Sequence, residues 1–354
     1  MSAPTIPRRV ADVDDGRNNN FDLIRIIAAA CVLVSHSFPI AIGSGAGEPL
    51  AQWTGYSLGF ISVGVFFAIS GYLITRSFDR RNDVRIFLLS RCLRIFPGLL
   101  FVLLATVIIL GMVVTEFSWT AFLSDSRSLA YVPRNLSLYA LQYDLPGVFE
   151  ENPFGPAING SLWTLRHEVT CYLGVMFCGM LGFFRQRILF AFGLILYAIF
   201  YIVSLILGDE GGLLFFLSQL RLLSLFFVFG VAIYVFRNEL HLDVRILTGL
   251  LVSAFLSFGT IFYELLFATF VSYATIYVSY WAVDYFKFYR RVGDYSYGLY
   301  IYAFPLQQLI TWLVPGISPF HLTLFALPAA LTCAIFSWHL IERPSLSLVR
   351  QWGS

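Results

Sequence analysis

Charged side chains are scarce in this sequence. Only 12% of its 354 residues are Asp, Glu, Lys or Arg, whereas 58% are hydrophobic and 18% are aromatic. In a soluble domain roughly a quarter of all residues are charged, so this chain has too few polar residues to cover the surface of a globule of its size. The net charge of +2 leaves no basic excess to neutralise nucleic-acid phosphates. The composition excludes a cytosolic enzyme, a disordered chain and a nucleic-acid-binding domain, and it predicts a polytopic membrane protein.

The sequence also lacks a disulfide framework and a signal peptide. Four of its five cysteines lie in apolar stretches, so we expect no loop-based pattern of disulfides. The first twenty residues are polar and contain no apolar core followed by a cleavage site. We therefore expect residues 1–20 to form a cytoplasmic tail, 21–345 a single membrane domain, and 346–354 a second cytoplasmic tail.

Long apolar runs make up most of the remaining chain. A bilayer core about 30 Å thick needs about 20 apolar residues in a helix, and ten segments fit this length. These segments are 22–42, 56–76, 96–115, 161–184, 188–208, 213–236, 245–263, 265–283, 295–314 and 321–341. The predicted fold class is all-α, a polytopic membrane protein with about ten transmembrane helices.

The distribution of basic residues predicts the sidedness of these helices. If the N-terminus is cytoplasmic, 18 of the 23 Lys and Arg residues fall on the cytoplasmic side, and only Arg127 and Arg134 fall outside. Such a split follows the positive-inside rule, so both termini are predicted to be cytoplasmic. For a bacterial source, the expected location is the inner membrane. The longest external segment is 116–160, and the basic cytoplasmic stretch 80–94 is expected to form an interfacial helix.

The first predicted span contains three ionisable residues, Asp22, Arg25 and His36. Arg25 and His36 are eleven residues apart, which is about 16 Å of helical rise, and they return to nearly the same helix face. Ionisable groups inside a membrane are costly and often mark a functional site, and imidazole exchanges protons near neutral pH. The alternative is structural: Arg25 reaches lipid headgroups and His36 makes one interhelical hydrogen bond.

Two further polar groups lie near the second and third spans. Ser70 and Gly71 form a small-residue pair, for which close helix packing is the simpler interpretation, and no G-x-S-x-G nucleophile motif surrounds Ser70. Arg91 and Arg94 lie three residues apart, on one helical face, just before Pro97. Such a pair suits the binding of phosphates, although a cytoplasmic membrane anchor has the same pattern.

The fourth span opens with Arg166, His167 and Glu168 in succession. Helical neighbours point about 100° apart, so these three side chains cannot all face one site, and the spacing required for a metal site is absent. Glu168 is expected at a depth from which its carboxylate could hold the His36 imidazole in one tautomer. The alternative interpretation is a buried Arg–Glu pair.

Taken in order, these features resemble the acyltransferase 3 family of integral-membrane acyltransferases. Arg25 and His36 match the family's Arg/Lys-x10-His signature in the first span. Later segments of the chain resemble the family's further motifs, in the same order over about residues 20–345: FFAISGYL, RCLRIFP, SLWTLRHEVTCYL, GDYSYGLYIYAFPLQQ and HLIERP. One position departs from the pattern, because Ala303 stands where many members have histidine.

The resemblance implies an enzyme that transfers an acyl group, commonly acetyl, from cytoplasmic acyl-CoA to a carbohydrate hydroxyl beyond the membrane. The acyl-CoA is a co-substrate, and no tightly bound cofactor or metal is expected. The acceptor is an exopolysaccharide, an O-antigen of lipopolysaccharide or a lipid-linked oligosaccharide. The external segment 116–160 and the loop 43–55 are expected to form its entrance.

Roles for individual residues follow from the same resemblance. His36 is the expected general base, or the group that is itself acylated, and Glu168 is the second expected catalytic residue. The expected ligands of the CoA phosphates are Arg25, Arg91 and Arg94. Substrate contact or packing is expected of Ser70, Trp163 and Tyr300.

Two alternatives to an enzyme remain at the level of the sequence. A transporter or flippase for polysaccharide or lipid-linked sugar would use the same buried Arg, His and Glu as a substrate or proton pathway, and it would show inverted repeats. A non-catalytic subunit of polysaccharide assembly would tolerate replacement of Arg25 and His36.

Overall fold

The computed structural model describes residues 8–15, 18–45, 47–281, 283, 286, 288–289 and 292–352. Parts of both predicted tails lie outside the described residues. So do four cationic residues that contribute to the predicted sidedness, namely Arg17, Lys287, Arg290 and Arg291.

The described residues fold almost entirely into helices. In chain order these are α1 (Val10–Val13), α2 (Phe21–Ile42), α3 (Ala51–Thr54), α4 (Leu58–Arg81), α5 (Val84–Ala105), α6 (Met112–Val114), α7 (Trp119–Ser124), α8 (Ser126–Leu136), α9 (Trp163–Met180), α10 (Arg187–Leu207), α11 (Gly212–Val235), α12 (Val244–Leu256), α13 (Tyr263–Tyr280), α14 (Ser296–Leu313), α15 (Pro319–Ser337) and α16 (Arg343–Trp352). The π-helical segments Thr106–Gly111 and Trp338–Glu342 continue α5 into α6 and α15 into α16.

Each of the ten segments predicted to cross the membrane contains a helix. Among the described residues, six helical segments are long and apolar enough to span a bilayer by themselves. These six are Phe21–Ile42, Leu58–Arg81, Val84–Val114, Arg187–Leu207, Gly212–Val235 and Pro319–Val349. The chain is therefore a mostly helical, multi-pass membrane protein, whereas ten crossings and two cytoplasmic termini stay predictions.

The basic stretch 80–94 does not form a separate interfacial helix. The helix α4 continues to Arg81, and α5 begins at Val84 and runs without interruption through Pro97. Pro97 lies inside this helix, and in the same turn the Tyr297 hydroxyl donates to the Ile95 carbonyl at 2.7 Å, which joins α5 to α14. Arg91 and Arg94 therefore lie within a long helix rather than ahead of a span.

The chain forms two compact units, and the predicted extent of the membrane domain, 21–345, stays a prediction. The first unit comprises Met1–Arg25, Val63–Phe87 and His167–Val292. The second unit comprises Ile26–Ser62, Leu88–Arg166 and Gly293–Ser354. Four helices, α2, α4, α5 and α9, begin in one unit and end in the other.

In the first unit, residues 8–15, which precede the first span, pack against other parts of the unit. Strand β1 (Arg8–Arg9) pairs antiparallel with β2 (His241–Leu242), and Val10 is fully buried in a cluster that includes Tyr72. The Asp14 carboxylate, whose side chain is only 2% exposed, is bound by Arg76 and Arg80. Pairing with two guanidinium groups offsets part of the cost of burying this charge.

Two glycines allow α4 and α11 to approach each other closely in the first unit. A Cβ atom on Gly71 would lie 2.0 Å from the Phe227 carbonyl oxygen, and one on Gly230 would lie 2.2 Å from the Ala68 carbonyl oxygen. The obstructing atoms belong to the backbone, so no side chain can move aside. The interpretation of the Ser70–Gly71 pair as a packing element is therefore confirmed for Gly71.

We expect Gly71→Ala to prevent the native packing of α4 on α11, and folded protein in detergent should fall several-fold. The matched control is Gly64→Ala on the same helix, because the three atoms nearest to its Cβ belong to the Phe226 ring, from 2.8 Å, and a side chain can move where a backbone cannot. Size-exclusion chromatography of equally expressed variants measures the difference. Equal yields of the two variants would show that the close approach of α4 to α11 is not required.

The second unit is built around α14 and α15, which pack along their length with Gly298 against Ala334. Side-chain amides attach the segment 116–160 to α14. Asn152 donates to both the side-chain and the backbone oxygen of Gln308, at 2.7 and 3.0 Å. Asn159 donates to the Ile301 carbonyl at 2.9 Å. The residues after α8 are therefore held on the helix that packs against His36.

Candidate active site

The His36 side chain lies in the second unit, on α2, and packs against α14. The His36 and Phe304 rings pack edge to face, with their centroids 5.3 Å apart. The Nδ1 atom of His36 is buried and has no hydrogen-bond partner among the described residues. A buried polar atom without a partner is rare in proteins and is typical of a strained or reactive site.

Gln307 fixes the turn of α2 that carries His36. Its side chain is completely buried, and its amide nitrogen donates to the Leu33 carbonyl and to the Ser37 hydroxyl, both at 2.8 Å. The Ser37 hydroxyl also accepts a hydrogen bond from Thr323 on α15, at 2.8 Å. The register of α2 against α14 and α15 is thus set by polar contacts on both sides of His36. The sequence analysis assigned Gln307 no role, although it lies in one of the quoted motifs.

If His36 is the acyl-transfer residue that the sequence resemblance leads us to expect, Gln307→Leu should lower kcat on the order of 10²-fold, because a small displacement of a catalytic group has an effect of that size. The KM for the expected acyl-CoA donor should stay within twofold. The matched control is Gln308→Leu, since the neighbouring amide instead donates to the Gly155 and Ala157 carbonyls. That control should raise the KM for the acceptor. Equal effects of both substitutions on kcat would contradict a specific role of Gln307.

Arg94 has protein partners that the sequence analysis missed. Its guanidinium contacts the Asp294 carboxylate at 2.5 Å and the Glu342 carboxylate at 3.5 Å. It also lies 5.7 Å from the ring centroids of both Tyr297 and Trp338. The two carboxylates offset its charge, so this geometry supports a structural role for Arg94 more directly than phosphate binding. Both acids lie in the quoted motifs, GDYSY and HLIERP, but their proximity to Arg94 depends on tertiary structure.

The other two predicted phosphate ligands have different surroundings. Arg91 is partly buried on α5 and its Nε atom donates to the Ser90 hydroxyl at 3.3 Å. Arg25, in the first unit, lies 3.7 Å from Asp22 one turn earlier on α2, and its side chain is 19% exposed. Arg25 and His36 do lie on one continuous helix, as predicted.

Tyr300 links α14 to the start of α9 in the second unit. Its hydroxyl donates to the Ser161 carbonyl at 2.9 Å and lies 2.6 Å from the Thr164 hydroxyl. Trp163 is partly exposed in the same turn of α9. Tyr300 thus joins two helices through its hydroxyl, and a contact with substrate stays a prediction.

Glu168 is held by hydroxyl groups in the first unit. Its carboxylate accepts hydrogen bonds from Ser70, at 3.1 Å, and from Tyr172 one turn further along α9. Ser70 and Glu168, which the sequence predicted separately, are thus in contact. The neighbouring His167 points elsewhere and stacks on Phe216 at 4.9 Å. The pairing of Glu168 with His36 stays a prediction, because these residues belong to different units.

The segment 116–160 carries a small polar core around α8. Asp125 caps the helix by accepting from the Arg127 backbone N–H at 2.8 Å. The Asn135 side-chain amide donates to the Gln142 backbone carbonyl at 3.0 Å and accepts a hydrogen bond from the Gln142 backbone N–H at 3.2 Å. Burial raises the pKa of the Tyr131 hydroxyl, which is fully enclosed here. The segment is therefore an ordered element rather than a loose loop. Over the described part of the chain, no cluster of three or more metal-ligating side chains occurs.

Comparisons with known proteins agree on one kind of protein. A family model described as an acyltransferase domain, acyltransferase 3, matches residues 18–339. An O-acetyl transferase of Shigella phage Sf6 is 30% identical over 349 residues, which cover 94% of this chain and 97% of the phage protein. Nodulation protein 10 of Rhizobium leguminosarum bv. viciae is 33% identical over 162 residues, 45% of this chain and 43% of that protein. No solved structure matches the chain.

Proposed function

Because the chain belongs to the acyltransferase 3 family, whose model matches nearly all of it, we propose that this membrane acyltransferase moves an acetyl group from cytoplasmic acetyl-CoA to a carbohydrate hydroxyl. The acceptor is an extracytoplasmic or lipid-linked glycan, such as exopolysaccharide or the O-antigen of lipopolysaccharide. The phage relative is named an O-acetyl transferase, which supports acetyl as the transferred group and oxygen as the atom that accepts it. Family membership favours the enzyme over the transporter.

The observation that carries the proposal is the setting of His36. Its Nδ1 atom is buried and unpartnered among the described residues, while Gln307 and Thr323 fix its helix through Ser37. An imidazole on a fixed backbone suits acid–base or nucleophilic chemistry better than a structural contact, which would use its hydrogen-bonding capacity.

Two routes of acyl transfer are open to such an imidazole. In the first, His36 takes the proton from the sugar hydroxyl as its oxygen attacks the thioester carbonyl; the C–S bond then breaks, and the CoA thiolate takes that proton from His36 as it leaves. In the second, the imidazole attacks the thioester, the C–S bond breaks, and the CoA thiolate leaves with the imidazole N–H proton; the sugar hydroxyl then displaces the acetyl group from His36 and its proton returns to the imidazole. Both routes leave an oxygen ester on the sugar, free CoA and unchanged His36. Glu168 is proposed as the second acid–base residue, on a carboxylate oriented by Ser70 and Tyr172.

The donor is proposed to enter from the cytoplasmic side. Arg25 lies about 16 Å along α2 from His36, a separation that the pantetheine arm of CoA can cover, and Arg91 offers a second cation for the phosphates. We propose Arg25 and Arg91 as the principal phosphate ligands, with Arg94 in a supporting position because it contacts Asp294 and Glu342. The proposed topology has ten crossings, cytoplasmic termini and an inner-membrane location, on the strength of the biased arginine distribution.

The proposed reaction is tested by supplying acetyl-CoA labelled in the acetyl group to membrane vesicles that contain the protein and the host glycan. We expect label in the glycan, and mild alkali should release it because oxygen esters are cleaved under conditions that leave amides intact. Vesicles without the protein are the control. Label that resists mild alkali, or equal labelling without the protein, would contradict carbohydrate O-acetylation by this chain.

A further inference from the structure

The first unit contains an apolar cavity outside the acyl-transfer residues. Its volume is about 330 Å³, and it opens at the surface of the unit. We call it the α9–α11 cavity. Three helices and one connection form its mostly apolar lining. The residues of α9 are Thr170, Cys171, Gly174, Val175 and Cys178, and those of the connection between α9 and α10 are Phe183 and Phe184. The remaining lining residues are Phe190, Gly193, Leu194, Tyr197 and Phe200 of α10 and Leu220, Ser224, Phe227, Val228 and Val231 of α11.

The chemistry of the lining selects an apolar occupant. The Tyr197 hydroxyl lies 3.0 Å from the Ser224 hydroxyl, which itself donates to the Arg221 carbonyl at 3.5 Å, so both donors are used within the protein. Most of the other lining groups are aromatic rings, aliphatic chains or thiols. In another protein, an engineered apolar cavity of about 150 Å³ stays dry and binds benzene. A hydrocarbon ligand therefore fits the α9–α11 cavity better than water or a sugar.

The position of α10 gives a hydrocarbon chain access to the cavity. In the most apolar 18-residue stretch of α10, only 11% of the residues are buried. The residues of α10 that line the cavity alternate with exposed apolar residues such as Ile195 and Ile199, which are 58% and 52% exposed. An exposed apolar helix face of this kind contacts lipid chains in a membrane protein. The cavity thus lies behind a lipid-facing helix.

The charge at one end of the cavity selects the headgroup. Phe183 and Phe184 line the cavity in the connection that also carries Arg185, and Arg187 begins α10. These two arginine side chains are 59% and 70% exposed, and each contacts one carboxylate, Asp79 or Glu239. A guanidinium has five N–H donors, so donors remain for an anion. Arginine near the cytoplasmic surface attracts anionic lipids.

We propose that the α9–α11 cavity binds an acyl chain of an anionic phospholipid whose phosphate contacts Arg185 and Arg187. The site is separate from the proposed acyl-transfer residues and does not depend on the reaction. It would stabilise the packing of α10, a helix with few buried residues, and it would make the stability of the first unit depend on anionic lipid.

The test compares two glycine substitutions. A Cβ on Gly174 would have no other atom within 4 Å, so Gly174→Leu places its side chain into the cavity without a backbone clash. Gly249→Leu on α12 is the matched control, because Gly249 is also exposed and also has no atom within 4 Å of its Cβ. Purified, delipidated proteins are heated in detergent with and without dioleoyl phosphatidylglycerol, and with dioleoyl phosphatidylcholine for comparison.

We expect phosphatidylglycerol to raise the Tm of the wild type and of Gly249→Leu on the order of 5 °C. Gly174→Leu should lose this shift, and Arg185→Gln with Arg187→Gln should reduce it to the value seen with phosphatidylcholine. An undiminished shift in Gly174→Leu would overturn the proposal. Stabilisation by an isoprenoid phosphate but not by phosphatidylglycerol would overturn the assignment to phospholipid.

A second measurement needs no substitution in the cavity. Cys178 lines the cavity, so its modification by an N-alkyl maleimide reports occupancy when followed by peptide mass spectrometry. Phosphatidylglycerol should slow the modification of Cys178 at least several-fold and leave that of Cys92, an exposed cysteine on α5, unchanged. Equal rates at Cys178 with and without the lipid would contradict the site even if Gly174→Leu fails to fold.

Discussion

His36→Ala is expected to lower kcat for acetyl transfer by about 10²- to 10⁴-fold, the contribution typical of a general acid–base group. The substitution removes the imidazole whose Nδ1 is unpartnered, and it breaks no hydrogen bond among the described residues. Folded yield and Tm should therefore stay close to those of the wild type. Initial rates of labelled ester formation at saturating acetyl-CoA, in membranes with matched protein content, give the measurement.

His321→Ala is the control for the loss of a histidine. His321 lies in the first turn of α15, is exposed, and bonds to Ser318 at 2.8 Å. We expect less than a twofold change in rate from this substitution. If His36→Ala kept more than a tenth of the wild-type kcat, His36 would be neither the base nor the acylated group.

Arg94→Leu is expected to lower the free energy of unfolding by about 3–5 kcal/mol, the cost of leaving a buried charge without its partner. Arg94 lies between Asp294 and Glu342, and these three side chains are 17%, 12% and 1% exposed. Without the guanidinium both carboxylates would be close together in an apolar setting. Thermal unfolding of the purified variant in detergent, followed by loss of monodisperse protein, measures the effect.

Two comparisons separate this structural role from phosphate binding. Arg91→Leu removes a cation one turn earlier on α5 and should raise the KM for acetyl-CoA with little change in Tm. Replacing Arg94, Asp294 and Glu342 together by Met, Asn and Leu should recover most of the stability, because no buried charge remains. A wild-type Tm for Arg94→Leu with a raised KM would reverse the two assignments.

Hydropathy located the helices well but not their ends. Each predicted span contains a helix because about 20 consecutive apolar residues are unstable in any other form within a bilayer. The sequence predicts a third span that begins at residue 96, because Pro97 suggests a boundary and the arginines before it suggest an interfacial segment. The structure begins this helix at Val84.

Contacts between distant segments were the part that the sequence could not supply. The basic residue Arg94 was visible in its motif, but Asp294 is 200 residues away and Glu342 is further still. Gln307 follows an ordinary apolar helix pattern, and only the packing of α14 on α2 shows that its amide supports the turn that carries His36. Periodicity predicts which residues share a face of one helix, whereas it does not specify which helices meet.

The role of the small-residue pair in α4 was only partly predictable from the sequence. Ser70 and Gly71 indicated close packing, and Gly71 indeed meets the backbone of α11. Their sequence did not show that the adjacent Ser70 hydroxyl donates to Glu168. One residue of the pair is thus structural, and the other contacts a proposed catalytic residue.

Transfer across the membrane is the central claim, and vesicles with substrates on opposite faces test it most directly. Purified protein is reconstituted with glycan enclosed in the lumen, labelled acetyl-CoA is added outside, and the external glycan is removed. We predict alkali-labile label on the enclosed glycan, in the vesicles whose protein exposes its cytoplasmic face outward, and none with His36→Ala. Label that forms only when glycan and acetyl-CoA share one face would contradict the account.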